Sequence, residues 1–469
     1  MYKPKTEDMQ GNQVDNERHP LMMARETGGN ENVPLGLVFF PAFDWKISTT
    51  HPERPERLLY TRDQLLEEGL LDHPAIHEYN PLVASWRSIE RVHVGAPSLD
   101  AWVTEAHRVS AGGAIAAAEA VMSGEVKRAF ALVRPPGHHA MTMVHGIRGF
   151  CTINIEAVML AHIRRHYGIR KIAVVDTDVH HGDGSQDVFY HDPDTLYISF
   201  HQDGRTLYPG TGFMSEYGGP QAIGSTVNIP LPPGTGDEGL QKVLEELVMP
   251  ILADFGPELV INSAGQDNHF SDPLANMQIT AKGYAKLADT LQADIAVLEG
   301  GYSVQEALPY VNTGIILAMA GLDYSGVVEP AFDAQRYRQK ADVTAYIDDL
   351  IKQWQRQWQQ RRQMQADYLV GMGDYWHETR HLYYDETGIT EHREEKIRLY
   401  PQRLGWHSIY SSSQSGPFGS QRVYAMFIPW QADEICRRDA YDEALRAKKE
   451  GKATRYVVVD PMKDIQEDI

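Results

Sequence analysis

Short apolar runs alternate with longer amphipathic stretches through the middle of the chain. The runs are rich in Val, Ile and Ala, which is typical of strands buried on both faces of a sheet. They cover residues 36–40, 129–133, 172–176, 195–200, 259–263 and 295–298. Helical patterns separate most of them, over residues 151–167, 237–255, 280–291 and 304–320. This alternation predicts βαβ units and therefore a largely parallel sheet with helices on both faces.

Both ends of the chain depart from this alternation. Residues 1–34 are rich in Asn, Glu, Gln and Gly without periodicity, which is typical of a flexible arm. An α/β domain is expected over residues 35–325, and residues 326–469 form a C-terminal extension. Within the extension, residues 335–369 predict one long, exposed helix, followed by a small mixed β/α segment. We find no catalytic or binding motif in the extension and expect it to serve packing or assembly into a homo-oligomer.

Composition restricts the class of protein. The 469 residues are 42% hydrophobic, which is enough for a sizeable core, and no apolar run approaches the roughly 20 residues that span a bilayer. The net charge of −20 disfavours nucleic acid as a partner, because such binding needs a basic surface. With two cysteines and no signal-peptide pattern, we expect a cytoplasmic protein without disulfides or membrane contact.

Polar residues follow four of the predicted strands, at the points where these strands end. The segment KIAVVDTDVHHGDG, residues 171–184, runs from a buried strand into acids and histidines. Residues two apart in an extended chain point to the same side, so Asp178 and His180 can face one point. Open α/β sheets bind their ligands beyond the carboxyl ends of the strands. The four strand ends supply His138 and His139, Asp178 and His180, Asp267, and Tyr302.

These residue types suit a metal-dependent hydrolase. Two carboxylates and one imidazole can hold Zn²⁺ with an open position for water, and they would also accept Fe²⁺ or Co²⁺. The adjacent histidines can act as general base and acid, and the hydroxyl of Tyr302 can stabilise an oxyanion. Asp176 and Asp183 can orient the two imidazoles and fix their tautomers.

Six motifs, in this order along the chain, resemble those of the zinc-dependent histone deacetylase family: RPPGHHA, GFCTIN, DTDVHHGDGSQDVFY, YPGTG, SAGQDNHFSDPL and EGGY. The resemblance covers roughly residues 35–325. It implies a three-layer, arginase-like α/β fold with a central, mainly parallel, eight-stranded sheet, to which the mixed extension is appended. It also implies hydrolysis of an acetyl-type amide on lysine side chains of a protein or peptide.

The resemblance further implies a role for individual residues. Three side chains match the zinc ligands: Asp178, His180 and Asp267. His139 matches the general base and acid, and His138 matches its electrostatic companion. The carboxylates behind these histidines and the phenol that polarises the substrate carbonyl are Asp176, Asp183 and Tyr302.

Other positions match the substrate tunnel and a structural K⁺ site. Phe150 and Tyr208 match the aromatic walls of the acyl-lysine tunnel, and Gly149 matches the glycine whose carbonyl meets the substrate amide. Leu274, in the segment DPL, is also expected to bind the substrate. The residues that match the K⁺ site are Asp176, Asp178, His180, Ser199 and Phe200. Residues 141–148 form a loop about two residues longer than in eukaryotic relatives; it is either a variable surface loop or one whose Met143, His145 and Arg148 reshape the entrance or take part in substrate choice.

Three alternative functions stay open. A binuclear manganese hydrolase of the arginase type needs a carboxylate two positions after His180, where Gly182 stands. An acetylpolyamine amidohydrolase would act on an acylated small amine; relatives specialised in this way can carry an acidic residue at the position of Leu274. The third alternative is a non-catalytic module that binds acyl-lysine, to which the long extension would be suited.

Overall fold

The computed structural model describes residues 33–330, 332–415 and 417–469. Residues 1–32, which make up nearly all of the predicted N-terminal arm, lie outside the described residues. Among the described residues, no helix combines the length and the apolar composition that crossing a bilayer requires.

The centre of the structure is a parallel sheet that has eight strands in the described residues, in the order β2-β1-β4-β10-β9-β6-β7-β8. A separate pair, β3 and β5, lies outside it. The strands along this part of the chain are β1 (Val33–Phe40), β2 (Ile76–Tyr79), β3 (Val94–Gly95), β4 (Val126–Val133), β5 (Met143–Val144), β6 (Ile172–Asp176), β7 (Thr195–Gln202), β8 (Thr226–Leu231), β9 (Leu259–Ala264) and β10 (Ile295–Leu298). The predicted fold class is therefore confirmed.

Helices cover both faces of this sheet. They are α1 (Glu56–Glu67), α2 (Trp86–Glu90), α3 (Glu105–Met122), α4 (Ile155–Tyr167), α5 (Asp183–Phe189), α6 (Asp237–Val243), α7 (Met249–Phe255), α8 (Ala281–Leu291) and α9 (Leu308–Met319), with a π-helical turn at Leu244–Val248 joining α6 to α7. Alternate strand residues face opposite layers, so that Val175 and Val174 belong to two different apolar clusters.

The six apolar runs all form strands, and the two strands of the central sheet that the pattern did not predict lie at its edges. Strand β2 has the sequence IHEY, with two of its four residues exposed. Strand β8 contains Asn228 and Pro230, and a proline is tolerated at an edge because its missing N–H leaves no ladder bond unmade. Because these two strands contain polar residues or proline, a search for uninterrupted apolar runs does not find them.

The extension begins with helix α10 (Ala341–Leu369), and its predicted exposure is wrong. One stripe of the helix is buried against the core of the α/β domain: Val343, Ile347, Leu350, Ile351, Trp354 and Trp358. The indole of Trp354 donates a hydrogen bond to the carbonyl of Asn228 at 2.7 Å. Charged residues between the stripe positions conceal an apolar spacing of three and four, which is that of a packed amphipathic helix.

A second sheet, with six strands in the described residues, follows in the order β11 to β16 and is antiparallel except where β14 and β15 pair. Its elements are β11 (Tyr375–Tyr384), β12 (Ile389–Arg398), β13 (His407–Ser415), β14 (Gly419–Phe427), α11 (Glu434–Glu450), β15 (Arg455–Asp460) and β16 (Ile465–Asp468). Helix α11 packs on one face of the sheet. The other face contributes Ile409, Val423 and Val457 to an apolar cluster with Val94 and Met143 of the α/β domain.

A buried ion network joins the second sheet to the α/β domain. Arg393 is fully buried and donates to the carboxylate of Asp187 at 2.8 and 3.0 Å and to that of Glu391 at 2.9 and 3.2 Å. Arg380 donates to both Asp187 and Glu395. Asp187 lies on α5, whereas the other members lie on the extension, so the network fixes the position of the sheet.

Replacing Arg393 with methionine is expected to lower the free energy of unfolding by about 3–5 kcal/mol, because buried carboxylates lose the cation that offsets their desolvation. Urea unfolding would measure the change, with the exposed Arg422→Met as a control expected to lose less than about 0.5 kcal/mol. If the Arg393 variant lost less than about 1 kcal/mol of its free energy of unfolding, the prediction would be contradicted, because solvent-exposed ion pairs contribute that little.

Candidate active site

Three candidate metal ligands converge beyond the carboxyl ends of neighbouring strands. Asp178 and His180 follow β6, and Asp267 follows β9, which pairs with β6. The Nδ1 atom of His180 lies 3.1 Å from Asp178 Oδ1 and 3.1 Å from Asp267 Oδ2. One ligand atom from each of the three residues lies within 4.8 Å of the others. The structure therefore brings the predicted ligand set together.

The surroundings of these three residues fit a divalent cation. The other carboxylate oxygens are already engaged, because the backbone N–H of Gly300 donates to Asp178 Oδ2 at 2.8 Å and that of Val179 to Asp267 Oδ1 at 2.9 Å. Burial raises the pKa of Asp267, and the negative charge of Asp178 adds to the effect. A cation would offset the two buried charges, and carboxylate oxygens together with an imidazole nitrogen are ligands that Zn²⁺ accepts.

Glycine residues allow the two acids to approach so closely. A Cβ at position 265 would lie 2.0 Å from Asp178 Oδ2, and a Cβ at position 300 would lie 2.2 Å from Asp267 Oδ2. Neither distance can be accommodated without moving a candidate ligand. Gly265 and Gly300 therefore contribute to the site, because the space that a side chain would fill is occupied by the candidate ligands.

A second group of side chains is also close enough to hold a metal ion: His191, Glu395 and His407. The carboxylate of Glu395 already accepts hydrogen bonds from His407 at 2.8 Å and from Arg380. This group belongs to the ion network between α/β domain and extension. We therefore assign the candidate metal centre to Asp178, His180 and Asp267.

The two adjacent histidines are each held by a carboxylate. Asp176 Oδ2 lies 3.2 Å from His138 Nδ1, and Asp183 Oδ1 lies 2.8 Å from His139 Nδ1. Burial alone would lower the pKa of His138, but Asp178 and Asp176 outweigh it and hold this pKa well above its ordinary value. Burial lowers the pKa of His139 to about 3, with the charge of His138 adding to the effect. At neutral pH, His139 is thus the imidazole that can accept a proton.

Arg148 binds the carboxylate behind His139. Its guanidinium donates to Asp183 Oδ2 from Nε at 3.0 Å and from Nη2 at 2.5 Å. Burial would raise the pKa of Asp183, but Arg148 and then His139 outweigh burial and hold this pKa well below its usual range. Asp183 therefore stays ionised, which fixes the Nδ1–H tautomer of His139.

A cavity of about 260 Å³ leads to this centre and contains the predicted tunnel residues. It is lined by His139, Gly149, Phe150, His180, Leu207, Tyr208, Leu274, Tyr302 and Asp385. The ring of Tyr208 meets that of His139 edge to face at 5.2 Å, and the ring of Phe150 meets that of Tyr302 in the same way at 5.5 Å. Phe150 has a φ of +71°, a conformation that costs free energy in a non-glycine residue and is stabilised by its surroundings.

The long loop over residues 141–148 does not line this cavity. His145 is buried beneath the second sheet, with Nε2 2.6 Å from Ser411 Oγ and Nδ1 2.7 Å from Ser413 Oγ. The backbone carbonyl of Met143 accepts a hydrogen bond from the Tyr384 hydroxyl. The loop thus attaches the extension through His145 and Met143.

The residues expected at a K⁺ site are buried close to the metal centre. Asp176 and Ser199 are paired in register on β6 and β7. The carboxylate of Asp176 accepts the hydroxyl of Tyr197 at 2.7 Å and the backbone N–H of Asp178 at 3.1 Å, while Ser199 Oγ lies 2.8 Å from Nδ1 of His201.

Two lining residues, Leu207 and Asp385, were not identified from the sequence, and the charged one is Asp385. It lies in the turn between β11 and β12, in the extension for which no chemistry was predicted; that expectation is wrong for this position. Asp385 Oδ1 accepts the backbone N–H of Gly149 at 3.0 Å and the hydroxyl of Tyr208 at 3.2 Å. A lone acid in a hairpin turn is common in proteins, and no local signal distinguishes this one.

The fold and the carboxylate–imidazole centre define an α/β enzyme of deacetylase-like architecture. The family model of the histone deacetylase domain matches residues 99–318. A probable deacetylase of Archaeoglobus fulgidus is 44% identical over 323 residues, covering 63% of this chain and 89% of the relative. The chain belongs to the histone deacetylase family.

Other relatives share a smaller part of their length. A histone deacetylase-like amidohydrolase of Pseudomonas aeruginosa is 36% identical over 238 residues, covering 49% of this chain and 61% of the relative. The polyamine deacetylase HDAC10 of Homo sapiens is 34% identical over 297 residues, covering 56% of this chain and 44% of the relative. The crystal structure of the HDA15 HD domain superposes with a TM-score of 0.61 at 27% identity, covering 72% of this chain and 98% of that one. These similarities support deacetylase or amidohydrolase activity.

Proposed function

We propose that this protein hydrolyses the amide of an N-acetylated aliphatic amine, using Zn²⁺ held by Asp178, His180 and Asp267. The observation that carries this proposal is the convergence of the candidate metal ligands, His139 and Tyr302 at one cavity. When bound, the ion would supply a Lewis acid that polarises the substrate carbonyl and acidifies water. Fe²⁺ or Co²⁺ would suit the same ligands.

The proton transfers fall to His139. Its Nδ1–H is directed to Asp183, so Nε2 is the nitrogen that accepts the proton of the attacking water. The same nitrogen then returns a proton to the departing amine. His138, held by Asp176 at 3.2 Å, would act as the electrostatic companion of His139 and favour the negative charge that develops on the carbonyl oxygen.

Tyr302 is placed to donate a hydrogen bond to that oxygen. Its backbone N–H is fixed by Asp272 Oδ2 at 2.7 Å, and the guanidinium of Arg57 lies 4.8 Å from the centre of its ring. Burial raises the pKa of the phenol well above its ordinary value, so the hydroxyl keeps its proton at neutral pH. Phe150 and Tyr208 would enclose the methylene chain, and the Gly149 carbonyl would accept the amide N–H.

An acylated lysine side chain is the substrate that the motifs imply. An acetylated polyamine is a second candidate, which the carboxylate of Asp385 at the cavity favours. A binuclear centre of the arginase type is disfavoured, because a Cβ at Gly182 would lie 2.2 Å from Asp176 Oδ2 and 2.5 Å from the Tyr197 hydroxyl, leaving no room for a carboxylate. A non-catalytic module would not need two adjacent histidines, each held by a carboxylate, beside the candidate metal ligands.

We also propose a structural K⁺ at Asp176, Asp178, His180, Ser199 and Phe200, and a division into a deacetylase domain over residues 35–325 and an extension over 326–469. The contacts of α10 and Asp385 make the extension part of the working enzyme.

Release of acetate tests the proposed function. Protein loaded with Zn²⁺ is mixed with blocked Nε-acetyl-lysine or with N-acetylputrescine, and free acetate is measured over time. We expect turnover of at least one of these amides and none by the metal-free protein. If metal-loaded protein releases acetate from neither amide, the chain is better described as a binding module.

Tyr302→Phe is expected to lower kcat by about 10²–10³, because it removes one hydrogen-bond donor to the developing oxyanion and leaves the ring in place. Metal content, measured by mass spectrometry, should stay unchanged. Tyr310→Phe, on α9, serves as the matched control and should retain wild-type kcat. An unchanged rate in the Tyr302 variant would exclude this role for the phenol.

A further inference from the structure

The turn between β11 and β12, residues 385–388, carries a carboxylate to the catalytic cavity. The side chain of Asp385 lines the cavity beside Tyr208 and Leu274. Of the lining residues, all within the described part of the chain, it is the one carboxylate. Because the domain that holds the metal ligands does not supply this charge, the extension gives the cavity a property that the catalytic motifs do not encode.

The turn is held firmly in place. Asp385 accepts hydrogen bonds from Gly149 and Tyr208, and Arg148 donates to the carbonyl of the nearby Tyr383. At the next position, Glu386 Oε1 lies 3.4 Å from His51 Nε2, and the His51 ring meets that of Phe150 at 4.3 Å. A carboxylate fixed in this way costs little further entropy when a ligand pairs with it.

Apart from this acid, much of the cavity wall on its outer side is formed by apolar groups. Leu207, Leu274, Phe150 and the ring of Tyr208 suit a chain of methylene groups. The nearby cation, Arg148, donates twice to Asp183, so its charge is largely offset. A ligand that enters the cavity thus meets an apolar passage with a negative charge beside it.

We propose that Asp385 selects substrates in which the acylated amine carries a second, protonated amine on its aliphatic chain, as in an acylated diamine or polyamine. The inference rests on the proposed deacetylase function and names its substrate class. A protonated amine would form a charge-assisted hydrogen bond with Asp385, whereas a purely aliphatic chain would desolvate this carboxylate without a partner. Asp385 is a specificity residue and takes no part in bond breaking.

Two amides of equal length are compared, so that the effect of the terminal charge is separated from the effect of shape. N-acetylputrescine ends in an ammonium group, and N-pentylacetamide carries a methyl group in its place. For wild-type protein loaded with Zn²⁺, we expect kcat/KM to be about tenfold or more in favour of N-acetylputrescine. The dissociation constants of both amides, measured by calorimetry on His139→Ala protein, should show the same preference without turnover.

Asp385→Asn keeps an oxygen that can accept from Gly149 and Tyr208 but removes the charge. We expect it to lower kcat/KM for N-acetylputrescine by about tenfold while that for N-pentylacetamide changes less than about twofold. The control is Glu394→Gln, which removes the same charge from an exposed position on β12 and should leave both values unchanged.

The outcomes distinguish this inference from the proposed function. Equal losses on both amides in Asp385→Asn would show that the residue only supports Gly149 and Tyr208, and would overturn the inference. A wild-type protein that treats both amides alike would overturn it as well. If no acetate is released but binding of N-acetylputrescine weakens selectively in Asp385→Asn, the inference stands and the proposed hydrolysis fails.

Discussion

Replacing His139 with alanine is expected to lower kcat by about 10²–10⁴, since one imidazole serves as both base and acid in the proposed reaction. Asp183 holds the Nδ1 side of the ring at 2.8 Å, so the loss removes an oriented proton acceptor and not merely a polar group. The KM should change less than kcat, because Phe150 and Tyr208 still line the cavity.

Steady-state acetate release measures this change, and metal content should remain that of the wild type. His381→Ala, at an exposed position of the extension, is the matched control and should leave kcat unaltered. If the His139 variant kept a kcat close to that of wild type, the proton would have to pass through His138 or solvent, and the assignment of roles to the pair would fail.

Asp178→Ala is expected to abolish both metal binding and turnover. Two contributions are lost together: one candidate ligand, and the carboxylate to which the N–H of His180 donates at 2.9 Å. Chelation of the wild-type protein should have the same effect on activity, and Zn²⁺, Co²⁺ or Fe²⁺ should restore it. Metal per chain is measured by mass spectrometry after dialysis.

The second histidine–glutamate group supplies the control for this prediction. His191→Gln alters a residue that could hold an ion together with Glu395 and His407, yet it should leave bound metal and turnover unchanged. If His191→Gln, and not Asp178→Ala, lost the metal, the centre would be misplaced. Activity that persists in fully metal-free protein would refute the metal chemistry altogether.

The central sheet could be predicted because burial on both faces produces uninterrupted apolar runs. The segment that contains Asp178 and His180 was informative for a related reason, since catalytic groups of a parallel sheet follow its strands directly. The edge strand β8 and the buried stripe of helix α10 could not be found in this way. Asn228 interrupts the first pattern, and the charged residues around Trp354 and Trp358 mask the stripe of the second.

Asp385 could not be identified as a cavity residue from the sequence, and the reason is different. Its role depends on a contact between residues 149 and 385, and a separation of 236 positions leaves no local pattern. The loop over residues 141–148 shows the same limit. Its extra length indicates either a variable surface loop or a changed entrance, whereas in the structure His145 anchors the second sheet. In both cases, contacts between residues far apart in the sequence determine where the side chain lies.

The position of Asp385 also bears on how the enzyme is made. The ribosome completes the candidate metal ligands, the histidine pair and Tyr302 before it reaches Asp385, which stands 83 positions after Tyr302. The hairpin of β11 and β12 belongs to the second sheet, and strand β16 of the same sheet ends at Asp468. A nascent or prematurely terminated chain would hold the chemical groups without the acidic turn. In this order of synthesis, the group proposed to discriminate among amines is added after the groups proposed to carry out the chemistry.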